Sequence, residues 1–119
     1  MASNSVAIEV ETMDSGVDFD LMGNAVELAV GDAYKLPDGS QLVWQRGHRP
    51  KSAGQPKLLE LTLTPGANAD AAAISNYLFT KLNERAIELR IDGATVRIDR
   101  QAITSALAAK LGKKETAGA

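Results

Sequence analysis

Cysteine is absent from this 119-residue chain. That removes disulfides, thiolate metal sites and cysteine nucleophiles together, and it suits a reducing compartment. Histidine occurs once, at His48, so a histidine-rich metal site cannot be assembled. Aromatic residues make up only 4% of the chain, which leaves few platforms for stacking nucleic-acid bases and obliges the core to be built from Leu, Ile, Val and Ala. Nowhere do roughly 18 apolar residues follow one another, the length a spanning helix needs. The opening MASNSVAIEVE lacks the basic start and apolar run of a signal peptide. A cytoplasmic protein without a membrane segment is the expectation.

What is present is ordinary globular composition, 45% apolar and 24% charged, at a length that suits one domain over residues 1–119. The ends, about 1–4 and 113–119, read as loose. The formal net charge of −2 hides a strong segregation. Residues 1–43 carry eight acids against Lys35 alone. The stretch WQRGHRPKSAGQPK, residues 44–57, carries four bases and no acid, and the remaining residues are nearly balanced. Charge laid out in blocks bears on association more than on fold.

The clearest element is IELRIDGATVRID, residues 87–99, where Asp92-Gly93 is a two-residue hairpin turn. Setting Ile91 opposite Ala94 places Leu89 opposite Val96 and Ile87 opposite Ile98 on one face. On the other face Arg90 meets Thr95 and Glu88 meets Arg97. Asp99 suits the cap of a helix from about Arg100 to Leu111, with Ile103, Ala106, Leu107 and Leu111 inward and Gly112 as its stop. Upstream, a cap at Asn68 or Asp70 opens a helix to about Leu82, with Ala71, Ile74, Leu78 and Leu82 inward. Before it, Leu59, Leu61 and Leu63 alternate with polar residues as a strand.

The first half reads as β. Val6, Ile8 and Val10, then Val17, Phe19 and Leu21, then Val26, Leu28 and Val30 each alternate with other residues, as strands wet on one face do. Glu9 and Glu11 would keep the first strand soluble and discourage pairing at a sheet edge. Tyr34 to Trp44 reads as a hairpin around LPDGS. The expected fold is therefore α+β: a mostly antiparallel sheet of about six or seven strands with two helices on one face, ending in β-α-β-β-α.

Chemistry-bearing signals are few. The basic stretch 46–57 holds two prolines, two glycines and no apolar period, a loop near the length at which structureless connections usually have a role. Arg46, His48, Arg49, Lys51 and Lys57 are its candidate partner-binding residues, with Trp44 as the apolar root packed in the core. The alternative is a solvated excursion. His48 lies on a Gly/Pro-rich platform too loose for a catalytic base. Asp18 and Asp20, on one face of a strand, lack the ligand count of a calcium loop and read as solvated. Tyr77 and Phe79 fall about 160° apart around their helix, on opposite flanks of its apolar stripe. Either another element of the first half covers the second ring, or the rings are interface anchors.

No nucleophile elbow, phosphate-cradling glycine loop or paired-histidine helix occurs, and neither a cofactor nor a metal is implied. The expected function is a non-enzymatic protein-interaction module, an adaptor, inhibitor or assembly subunit, binding a protein partner or a second copy through the basic loop and acidic strand faces. Two other classes compete. A small enzyme would bring at least two titratable groups together in a pocket. A nucleic-acid or anion binder using the loop would turn the acids away from it, and the acidic balance of the chain argues against it.

Overall fold

A computed structural model describes residues 5–14, 16–48 and 54–111. Its elements in chain order are β1 (Val6–Thr12), α1 (Val17–Leu21), β2 (Ala33–Lys35), β3 (Gln41–His48), β4 (Lys57–Thr64), α2 (Ala71–Leu82), β5 (Ala86–Ile91), β6 (Ala94–Val96) and α3 (Arg100–Leu111). The six strands form one antiparallel sheet in the order β2-β3-β4-β1-β5-β6. The fold is thus α+β, as the sequence leads one to expect. The expected loose ends and the helix stop at Gly112 lie outside the described residues.

Alternation decides which face is covered. Val6, Ile8 and Val10 of β1 are buried beside Leu59, Leu61 and Leu63 of β4, Leu89 and Ile91 of β5, and Leu42 and Trp44 of β3. Ile74, Leu78 and Leu82 of α2 and Ile103, Leu107 and Leu111 of α3 close over them in one continuous core. Both helices begin where side chains satisfy orphan backbone donors. Asp70 accepts from the Ala72 amide at 3.0 Å and Asp99 from that of Ala102 at 3.0 Å. The opposite sheet face, which carries Glu9, Glu11, Glu60, Thr62, Glu88 and Arg90, contains no buried residue among those described.

Several expectations need correction. Val17–Leu21 is a short helix, not a strand. Val17 and Leu21 are four apart, so they share a face under either period, and in five residues the alternation carries no decision. Val26–Val30 forms no strand. Gly23 and Asn24 turn the chain at positive φ, 76° and 64°, and Asp32 accepts from the Ala29 amide at 2.9 Å, a local bond that competes with a ladder. Val26 and Val30 stand 90% and 74% exposed as a result.

The Asp92-Gly93 turn has both residues at positive φ, 52° and 85°, the geometry of a type I′ hairpin. Its pairs Leu89↔Val96, Arg90↔Thr95 and Ile91↔Ala94 hold, but β6 stops at Val96. The pairs Ile87 with Ile98 and Glu88 with Arg97 do not form, because the chain turns into the Asp99 cap. Glu88 instead accepts from Arg90 and Thr95. Nor is β1 an edge: it lies between β4 and β5, so Glu9 and Glu11 guard no free strand.

Candidate functional site

At the end of the sheet where β1 runs out and the β3–β4 hairpin begins, the structure holds a cavity of about 670 Å³, within the size range of ligand pockets. Trp44 forms one wall, only 7% exposed. Its shape rests on an irregularity in β3. The register shifts between Trp44, opposite Leu61, and Arg46, opposite Glu60, a bulge that re-aims the side chains beyond it. Arg46 is thereby turned to the open face, and Gly47 comes beneath the indole. A Cβ at Gly47 would lie 3.2 Å from the Trp44 ring and 3.5 Å from Leu59, so a side chain there would crowd the indole.

The other walls come from segments far apart in sequence. Phe19 and Asp18 enter from α1, Leu28 from the irregular segment after it, Met13 from the end of β1 and Lys57 from the start of β4. Thr12 braces this arrangement: its hydroxyl donates to the Arg85 carbonyl at 2.6 Å and accepts from the Asp14 amide at 2.9 Å. Arg85 then clamps α1 against the strand end. Its Nε reaches Asp14 at 3.0 Å, its Nη2 the other oxygen at 3.1 Å, and its Nη1 Asp20 at 2.6 Å. The Arg85 hydrogen bonds, with a further one from the Gly16 amide, hold the Asp14 carboxyl down at about 2. The same contacts raise Arg85 above its ordinary value.

A pair of charged groups meets inside the cavity. Lys57 Nζ lies 3.4 Å from Asp18 Oδ2, with side chains 21% and 12% exposed. Asp18 Oδ1 also accepts from the Phe19 amide at 3.0 Å. Among the described residues, no group of three or more His, Asp or Glu side chains is gathered to hold a metal ion.

The residues singled out in the sequence are only partly brought together. Trp44 and Lys57 share the cavity. Arg46 points away, 3.8 Å from Glu60 on the open face. His48 joins β3 through its backbone, opposite Leu58. Arg49 and Lys51 lie outside the described residues. Arg46 and His48 belong to β3 and Lys57 to β4, so the basic stretch begins inside one strand and ends at the start of the next.

The two rings of α2 are occupied within the chain. Tyr77 donates to the Leu21 carbonyl at 2.5 Å and stacks on Tyr34 at 5.8 Å; burial first, then the charge of neighbouring groups, raises its hydroxyl above the usual range. Phe79 lies under the Arg100 guanidinium, 4.4 Å from its ring centre. Most of the first-half acids likewise find internal partners. Besides the Arg85 clamp, Arg90 holds Glu9 at 3.0 Å, Glu11 at 3.1 Å and Glu88, and these contacts raise Arg90 above its ordinary value.

Sequence reasoning missed Asp18, Phe19, Leu28, Met13 and Thr12 as parts of one site. Phe19, one of only two phenylalanines and set between two aspartates, was the available signal. The chain matches no known family model, no curated protein and no solved structure.

Proposed function

We propose that this protein is an interaction module whose cavity mouth receives a segment of a partner protein. One observation carries the reading. Of the four large apolar side chains left exposed among the described residues, Met13 is 55%, Val26 90% and Val30 74% exposed. Met13 lines the cavity itself, and Val26 and Val30 flank Leu28, which also lines it. Exposed apolar residues on segments that also line a concavity support a contact surface there. Their spread along the chain, beyond the lining residues, favours a protein partner over a small molecule seated in the cavity.

The acids and bases play a smaller part than their blocks along the chain suggest. Asp14, Asp20, Glu9 and Glu11 are engaged by Arg85 and Arg90, so association through acidic faces would have to compete with pairs already made. No described helix is long and apolar enough to cross a membrane. With no cysteine in the chain, a reducing compartment such as the cytoplasm belongs to the same proposal.

The test is selection of binding peptides from a displayed library on the purified protein, followed by calorimetry. Val26→Asp with Val30→Asp is expected to weaken the selected peptides at least about tenfold, with an unchanged melting temperature because both side chains are exposed. Undiminished binding would sink the reading.

A second reading, a small enzyme, is favoured by one feature: Asp18 and Lys57 converge on a single cavity. It requires turnover that is lost in Asp18→Asn; a bound ligand recovered chemically unchanged would exclude it.

A further inference from the structure

We propose that the cavity is built for an uncharged primary carboxamide carried next to an aromatic or branched apolar group, the Asn or Gln side chain of a partner segment docked by that neighbouring group. The inference rests on the interaction reading above and names the chemistry received there. The apolar body has its place: the rings of Trp44 and Phe19 line the cavity, with Leu28, Leu59 and Met13 completing the walls. The polar end has one as well. Asp18 and Lys57 present an acceptor and a donor side by side, 3.4 Å apart and both largely shielded from water.

Charge decides which group fits such a pair. An ionised carboxylate accepts at up to about four lone-pair sites, and among the described residues Asp18 shows two contacts, to the Phe19 amide and to Lys57. A ligand carboxylate approaching Lys57 would meet the charge of Asp18, and a ligand ammonium approaching Asp18 would meet that of Lys57. A primary carboxamide avoids both conflicts, since the N–H on the same side as its C=O donates to the carboxylate while the C=O accepts from the ammonium. It can do so without separating the existing pair, whose rupture would cost the shielded Asp18 carboxylate its ammonium partner. Gly47 contributes by absence: a side chain there would press on Trp44 and tilt the wall on which the ring of the ligand lies.

The experiment uses three matched probes, phenylacetamide, phenylacetate and phenethylammonium, read by the fluorescence of Trp44, the sole tryptophan. In the wild type the amide is expected to bind about five- to tenfold more tightly than either ion, the margin of one ordinary hydrogen bond. Asp18→Asn should make phenylacetate the tightest of the three, and Lys57→Gln should do the same for phenethylammonium. The proposal is overturned if an ion matches the amide in the wild type, if the ranking is unmoved by both substitutions, or if no probe changes the Trp44 signal. Should either variant fail to fold, the wild-type ranking decides alone. Because the probes do not touch the exposed rim, their failure leaves the Val26/Val30 test standing, and failure of that test leaves the probe ranking readable.

Discussion

Asp18 and Lys57 meet at 3.4 Å although 39 residues separate them in sequence. That contact fastens α1 to the base of the β3–β4 hairpin and sets the polar corner of the cavity. Changing Lys57 to Met should destabilise the protein by about 1–2 kcal/mol, because a shielded carboxylate loses its partner. Adding Asp18→Asn should restore part of the loss. Urea unfolding of the two single variants and the double closes the cycle, and additive losses would show that the pair is not coupled.

The Arg85 clamp makes a pH prediction. Asp14 has a folded-state value of about 2, below the roughly 3.9 of a free aspartate. A depressed carboxylate contributes stability that is fully present above the unfolded value and is lost as pH falls through the folded one. The melting temperature should therefore drop between about pH 4 and pH 2. In Arg85→Gln the drop attributable to Asp14 should be smaller, starting from a lower plateau. Parallel pH curves for the two proteins would contradict this.

On the open face, Arg90 stands among Glu9, Glu11 and Glu88. Arg90→Leu leaves three carboxylates close together and should cost about 1–2 kcal/mol at neutral pH, discounted for their partial exposure. The deficit should shrink in high salt. A deficit independent of salt would mean that lost packing of the arginine stem, not charge, is responsible.

Two substitutions probe the wall of the cavity. Trp44→Ala removes a nearly buried indole and should cost about 3–5 kcal/mol. Gly47→Ala should cost about 1 kcal/mol by crowding that ring, and should lower affinity for any cavity ligand more than it lowers stability. Ligand affinity left intact in Gly47→Ala would show that the indole can shift without consequence for the site.

Much of the fold was legible because several local signals agreed. At Asp92-Gly93 the turn residues, the alternation of Leu89, Ile91, Ala94 and Val96, and the polar pairing all demand one register, and the structure keeps it. The stripes of α2 and α3 and the Leu59, Leu61, Leu63 alternation were equally unambiguous. Where short segments carried a single signal, tertiary contacts decided. Val17 and Leu21 fit a strand or a helix, and the helix observed is the one that Arg85 ties down through Asp14 and Asp20. The cavity could not be read along the chain, since its walls come from β1, α1, the segment holding Leu28, β3 and β4. Its polar corner joins an acid that looked like a solvated strand face to a base that looked like part of a loop. The bulge after Trp44, which separates Arg46 from the cavity, has no recognisable signature in QRG.

The most direct test of the account is to map amide resonances while titrating the protein with a peptide selected to bind it. The account predicts shifts concentrated at Thr12–Asp14, Asp18–Phe19, Leu28, Trp44–Gly47 and Gln55–Leu59. Shifts confined to the outer surfaces of α2 and α3, or to the open face around Arg90, would contradict it.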